Sequence, residues 1–290
     1  MVPTASFHHA TVDGHRLFYR EAGRSDAPAV VLLHGFPTSS YMFRDLITRL
    51  ADDYHVIAPD YLGFGYSDMP LASEFDYTFD NLADLTQALL DQLGLDRYAI
   101  YVQDYGAPIG WRLALNRPDS ITAIVTQNGN GYDEGFVEGF WKTVWDYQRE
   151  QTPETEAAIR TALDAESIRW QYLTGAPDES LVSPDTWTLD AALLARPGND
   201  EIQLKLFRDY ATNPPMYPAL HEYLRTSGVP VLAVWGQGDP IFGPEGARAF
   251  GRDASDPEIH LLDGGHFLLE TAADEVAALI KGFLVRVGGQ

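Results

Sequence analysis

The segment Tyr101-Val102-Gln103-Asp104-Tyr105-Gly106 runs from a strand straight into a helix, leaving Asp104 at a sharp turn with no room for a longer loop. A side chain at such a turn is pushed up and out of the backbone, which is how a nucleophile is presented. A carboxylate in that position can attack an sp³ carbon and leave an alkyl ester on the protein. Taken alone, Asp104 serves equally well as the N-cap of the following helix. Two further residues shift that balance. Asp239 follows a core strand in Trp235-Gly236-Gln237-Gly238-Asp239-Pro240, and His266 follows the last strand in Gly264-Gly265-His266-Phe267. Asp239 would orient and charge-stabilise His266, which would act as general base on a water. Each has a plainer role too, Asp239 starting a turn before Pro240 and His266 capping the last helix. Chance explains poorly why all three fall at strand ends in the order nucleophile, acid, base.

A fourth piece is His34-Gly35-Phe36-Pro37, directly after the strand ending at Leu33. Gly35 permits a tight turn, so the Phe36 N–H can aim at the same point as the Tyr105 N–H. Two such amides would hold the oxyanion formed when water attacks the ester. His34 reads as a structural turn residue, and Pro37 is a candidate for a preceding cis bond.

These residues need a scaffold that brings strand ends together. Val12 to Arg20 and the apolar run Ala29 to Leu33 read as strands, followed by a helix over Ser40 to Leu50 and a strand over Tyr54 to Ala58. A helix over Phe79 to Leu93, a strand over Tyr98 to Gln103, a helix over Ala107 to Asn116 and a strand over Ile121 to Thr126 continue the alternation. It resumes with a strand over Val229 to Trp235, a helix over Pro244 to Phe250, a strand over Glu258 to Leu262 and a helix over Thr271 to Val287. Strict alternation implies a parallel sheet with helices on both faces. Between lies a stretch rich in Trp, Tyr, Glu and Pro with helical spacing and no convincing strand. The chain therefore reads as an α/β core over 1–130 and 218–290 carrying a helical cap over 131–217. Loops at the carboxyl ends of such strands hold the active site, so the insertion is expected to roof it.

Composition narrows the function classes. With 45% hydrophobic and 21% charged residues the chain is globular, and apolar runs such as Ala29 to Leu33 are far too short to cross a bilayer. No secretory signal is visible at Met1-Val2-Pro3-Thr4, and without cysteine there is no disulfide, thiolate nucleophile or cysteine zinc site; the cytoplasm is the expected compartment. A balance of 20 Lys and Arg against 42 Asp and Glu gives a net charge of −22, which argues against nucleic-acid and membrane-surface partners and against an anionic substrate. No phosphate-loop or dinucleotide glycine pattern is present, and no residue set has convincing metal spacing, so no cofactor or metal is expected.

Over essentially its whole length the chain resembles the α/β-hydrolase fold family, in its Asp-nucleophile branch of epoxide hydrolases and haloalkane dehalogenases. The residues that carry the resemblance are His34-Gly35-Phe36-Pro37, Asp60-Tyr61-Leu62-Gly63-Phe64-Gly65-Tyr66-Ser67-Asp68, Val102-Gln103-Asp104-Tyr105-Gly106, Gly238-Asp239 and Gly265-His266. The resemblance implies a mostly parallel sheet flanked by helices with an inserted helical cap. It also implies two chemical steps, alkylation of Asp104 and hydrolysis of the ester by water that His266 activates, with Asp239 behind it.

The leaving group separates the two activities. An alkoxide wants an acidic O–H, which epoxide hydrolases supply from cap tyrosines. A halide prefers N–H donors, which haloalkane dehalogenases supply from the Trp after the nucleophile and a second Trp or Asn. Here Tyr105 stands in place of that Trp and Phe36 is apolar, both of which favour an epoxide; Val102, where epoxide hydrolases usually have Gly, points the other way. By this resemblance Tyr147 and Tyr210 are the expected ring-opening pair, with Tyr172 in reserve. Trp145, Trp170, Tyr172 and Phe267 are expected to line a site for a small apolar or aromatic substrate, and Trp141, Trp145, Trp170 and Trp187 keep a halide-binding role open. The reading is an epoxide hydrolase acting without cofactor, with haloalkane dehalogenase as the alternative. Fluoroacetate dehalogenase ranks third, because Tyr105 and Pro108 stand where it carries arginines. A non-catalytic binding protein on the same fold is the remaining class.

Overall fold

The computed structural model of the protein describes residues 4–288. Eight strands form one sheet: β1 (Ser6–Val12), β2 (His15–Ala22), β3 (Ala29–Leu33), β4 (His55–Pro59), β5 (Tyr98–Val102), β6 (Ile121–Gln127), β7 (Val231–Gly236) and β8 (Glu258–Leu262). Their order across the sheet is β1-β2-β4-β3-β5-β6-β7-β8, with β2 antiparallel to both its neighbours, β1 and β4, and every other pair parallel. The sheet is thus mostly rather than wholly parallel. The strand read over Val12 to Arg20 is two strands, because Asp13 and Gly14 both take positive φ and turn the chain into a hairpin.

Strands β3, β4 and β5 have nearly every residue buried, which fits their unbroken apolar sequence. After β3 the chain returns to β4 on one side, then crosses to β5 on the other. Loops leaving β3 and β5 therefore diverge, and the crevice between them is where an open α/β sheet can hold a ligand. Leu33 pairs with Val102, so Phe36 and Asp104 emerge at nearly the same height.

Eleven α-helices accompany the sheet among the described residues: α1 (Arg44–Leu50), α2 (Phe79–Gln92), α3 (Gly106–Asn116), α4 (Glu138–Arg149), α5 (Pro153–Arg160), α6 (Ala165–Leu173), α7 (Pro184–Leu194), α8 (Asn199–Asp209), α9 (Tyr217–Ser227), α10 (Pro244–Ala249) and α11 (Leu269–Gly288). The helix expected over Ser40 to Leu50 is split, its first four residues forming a 3-10 turn capped by Ser39. Helices α4 to α9 lie between β6 and β7 with no strand among them, and α4 to α8 fall within the stretch 131–217 read as a cap. Its last segment is tied to the core. Asp209 accepts from the Phe79 N–H at 2.7 Å, and the buried Arg112 guanidinium donates to Asn213 and Thr212 at 2.8 and 3.0 Å. No helix among the described residues is long and apolar enough to cross a membrane.

Candidate active site

Asp104 sits at the tip of the turn from β5 to α3 with φ of 49°, in the left-handed region that a non-glycine residue adopts at a cost. The turn is compact because Gly106 passes close to β3: a Cβ there would lie 2.1 Å from the Leu33 carbonyl oxygen. Asp104 Oδ1 accepts from two backbone N–H groups, Phe36 and Tyr105, each at 2.6 Å. Those are the two amides expected to form an oxyanion hole. The other oxygen, Oδ2, makes neither bond and lies 3.9 Å from His266 Nε2. Burial pushes the Asp104 carboxyl up to about 6, against the charge of His266 and the two backbone donors, which pull it down.

His266 is fully buried and its Nδ1 is 2.8 Å from Asp239 Oδ2. Burial alone would lower the imidazole, but the charge and hydrogen bond of Asp239, with Asp104 in addition, leave it raised. Asp239 is itself fixed from three sides. Its Oδ1 accepts from the Ile241 N–H at 2.7 Å, and its Oδ2 accepts from Asn128 Nδ2 at 2.8 Å as well as from His266. A carboxylate satisfied in this way favours the Nδ1–H tautomer of His266 and leaves the Nε2 lone pair on the side of Gln103 and Asp104.

Two residues outside the expected set belong to this centre. Asn128, at the carboxyl end of β6 with φ of 48°, also bonds the Gly236 backbone through both ends of its amide. It thereby locks the β7 loop that carries Asp239. Gln103 is fully buried and its Nε2 is 2.9 Å from His266 Nε2. Both are visible in sequence only as polar residues ending otherwise apolar strands.

Aromatic rings roof the carboxylate. Phe36 packs against Phe207 at 5.2 Å, and Tyr210 lies 5.9 Å from Tyr105, 4.5 Å from Trp141 and 5.6 Å from Phe79. Tyr210 is buried and its hydroxyl is raised well above 10 by burial first, then by Tyr217, Asp104 and Tyr105. The hydroxyls of Tyr105 and Tyr61 are buried without a partner and are likewise raised, by burial and then by the Asp104 charge. All three phenols therefore keep their protons around Asp104.

Tyr147 is placed elsewhere. The charged groups acting most on its hydroxyl are Glu156, Arg160, Arg208 and Glu201, of α5 and α8. At 3.6 residues per turn Tyr147 stands about 200° around α4 from Trp145, the residue that packs near Tyr210. Trp170 is 43% exposed, and the same two-residue offset turns Tyr172 inward. Tyr172 stacks on Phe267 with ring centroids 3.7 Å apart, and Phe267 meets His266 edge-on at 5.1 Å. The Tyr172 hydroxyl donates to the buried Asp190 Oδ2 at 2.5 Å, beside Thr38. Burial holds the Asp190 carboxyl up near 8 despite those hydrogen bonds. The Trp141 indole N–H is taken by the Ile241 carbonyl at 2.9 Å. His34, held down to about 4 by burial, bonds the Gly35 carbonyl and is a turn residue as expected. Among the described residues no three His, Asp or Glu side chains are grouped to hold a metal ion.

The arrangement can present a buried carboxylate oxygen to an electrophilic carbon, stabilise an oxyanion beside it and activate a water. Residues 28–273 match the family described as alpha/beta hydrolase fold. The chain is 44% identical over 277 residues to an uncharacterized hydrolase of Saccharomyces cerevisiae, covering 94% of this chain and 95% of that one. It is 30% identical to haloalkane dehalogenase 2 of Mycobacterium tuberculosis, covering 91% and 90%. Among solved structures, haloalkane dehalogenase DbeA from Bradyrhizobium elkani superposes with a TM-score of 0.83 at 28% identity, covering 98% of this chain and 99% of that one. The epoxide hydrolase CorEH shares the fold, with a TM-score of 0.79 at 21% identity and 98% and 99% coverage.

Proposed function

This chain belongs to the α/β-hydrolase family, in the branch of haloalkane dehalogenases and epoxide hydrolases, and from that premise we propose that it hydrolyses an apolar or aromatic epoxide to a vicinal diol through a covalent ester on Asp104. The observation that carries this reading is the donor set around the nucleophile. Tyr210, Tyr105 and Tyr61 keep protonated hydroxyls on which the Asp104 charge acts, while the Trp141 N–H is spent on a backbone carbonyl. An alkoxide leaving group needs a proton, and a phenol can give one.

In the first step Asp104 Oδ2 attacks an epoxide carbon and the carbon–oxygen bond of the ring breaks. The ring oxygen takes a proton from the Tyr210 hydroxyl, with the neighbouring Tyr105 hydroxyl able to share the charge. Tyr105 thus takes the place that the sequence suggests for Tyr147. In the second step water gives a proton to His266 Nε2 and its oxygen adds to Asp104 Cγ. The resulting oxyanion on Oδ1 already faces the Phe36 and Tyr105 N–H groups. Collapse breaks the Cγ–Oδ2 bond, the diol leaves with that oxygen, and the imidazolium returns its proton to it; the proton left on the new Asp104 carboxyl goes back to the Tyr210 phenolate, restoring both groups.

A second reading is haloalkane dehalogenation, favoured by the 30% identical mycobacterial relative and by Trp145, which packs 6.1 Å from Tyr210. The two are separated by offering the purified protein styrene oxide and n-butyl bromide. Diol formation without bromide release supports the proposal; bromide release without diol transfers the site to the second reading.

A further inference from the structure

Water must reach the ester beside His266 and Asp104, whose Nε2 and Oδ2 are 3.9 Å apart, and the Gln103 side chain borders that spot. Its Nε2 stands 2.9 Å from His266 Nε2, so the amide donates to the lone pair that must later take the proton of water. Its Oε1 is buried without a partner, an uncommon and costly state for an amide oxygen. That oxygen lies on the Asp104 side. A Cβ built on Gly35 would come within 2.5 Å of Gln103 Oε1, 2.3 Å of Asp104 Cβ and 2.6 Å of Asp104 Oδ1, so all three atoms crowd one spot that only glycine leaves open. The amide therefore touches the base through its nitrogen and holds its oxygen near the Asp104 side chain.

We propose that Gln103 is a positioning residue for the hydrolytic water: its N–H holds the His266 lone pair in the resting site, and its Oε1 accepts one hydrogen of the incoming water while the other goes to His266. The inference rests on the covalent reading above and assigns Gln103 to the second step only. In that step the water oxygen bonds to Asp104 Cγ, one proton passes to His266, and the other stays on the new carboxyl oxygen, hydrogen-bonded to Gln103, until Cγ–Oδ2 breaks. Water then occupies the position that the amide N–H holds at rest, and its second hydrogen gives the orphaned Gln103 oxygen the partner it lacks there.

The same contact tunes the base. The charged groups acting on His266 are Asp239, from the β7 loop, and Asp104, from the elbow, and both raise it; the rings of Phe242 and Phe267 pack on its other sides. A donor on the Nε2 lone pair stabilises the neutral imidazole and so works against them. Removing the donor raises the imidazole further, and the neutral base is then lost at a higher pH.

The test follows the ester directly. Wild type, Gln103→Met and His266→Gln are each mixed with styrene oxide and quenched over time for intact-protein mass. Gln103→Met should still form the hydroxyalkyl adduct and clear it about ten- to a hundredfold more slowly than wild type, with the acid limb of clearance moved up by about half to one pH unit. Adduct formation also reports that the variant is folded, and the pH limb separates positioning from a purely structural loss. Clearance at the wild-type rate with an unmoved limb overturns the assignment. So does a Gln103→Met protein that forms no adduct while His266→Gln does, because Gln103 would then serve the first step. Turnover of styrene oxide with no adduct in any of the three proteins overturns the covalent reading and the inference with it.

Discussion

Replacing Asp104 by Asn should destroy turnover and make the folded chain more stable. Burial holds the Asp104 carboxyl near 6 where it would ordinarily titrate at 3.8. A proton bound that much more tightly in the folded state corresponds to about 3 kcal/mol. Because the folded value is the higher one, this stabilisation is fully present below about pH 4 and is lost as pH rises through about 6. At neutral pH the wild type therefore carries a buried charge at nearly the full cost. Asn has no charge to bury, its side-chain oxygen can still accept from the Phe36 and Tyr105 N–H groups, and it tolerates the positive φ at this turn. The gain should thus be near zero at about pH 4 and about 2–3 kcal/mol above pH 7, raising the unfolding midpoint by several degrees. Urea or thermal unfolding of both proteins across that range reads it out. A variant no more stable than wild type at pH 8, or one whose advantage is the same at every pH, would refute the reasoning that the nucleophile is a desolvated carboxylate.

Tyr210→Phe should slow epoxide opening by about 10²–10³, the usual loss for a general acid, whereas Tyr147→Phe should stay within about twofold; initial rates on styrene oxide compare them. Asn128→Ala removes one of the two donors to Asp239 Oδ2 and loosens the loop behind it, and should lower kcat by about tenfold with little change in KM, because it acts through the acid rather than on substrate. Burial raises the Asp190 carboxyl from 3.8 to about 8 in the fold, so its contribution to stability is full below about pH 4, declines as pH rises from there and is gone by about 8; Asp190→Asn should flatten that decline in unfolding midpoint. An equal decline in both proteins between about pH 4 and 8 would remove Asp190 from that role.

What the sequence reveals of this site is the part encoded by local turns. The Asp104 elbow, the Gly35 turn and the Gly238-Asp239 and Gly265-His266 loops are short and glycine-marked, and each follows an apolar strand whose end is readable. Contacts across the molecule are less legible. Tyr147 is as plausible as Tyr210 in sequence, because telling them apart needs the rotation of α4, whose Trp141 and Trp145 pack on Tyr210. Trp170 and Tyr172 likewise differ only by the side of α6 they stand on. In the insertion, apolar and polar residues share faces: α6 buries Gln171 beside Tyr172, and α7 buries Asp190 beside Leu194, so helical periodicity alone cannot say which side faces the core. Asn128 and Gln103 escape for another reason. Their partners, Asp239 and His266, lie more than a hundred residues away in the chain, and nothing local marks the meeting.

The claim on which everything else depends is that Asp104 becomes an ester. It is tested by one turnover in heavy-oxygen water, with wild-type enzyme in excess over styrene oxide, followed by digestion and mass measurement of the peptide that contains Asp104. The covalent route puts the solvent oxygen into Asp104 and leaves the first diol unlabelled. Label in the diol with none in Asp104 would mean that water attacks the epoxide directly, and would contradict the account.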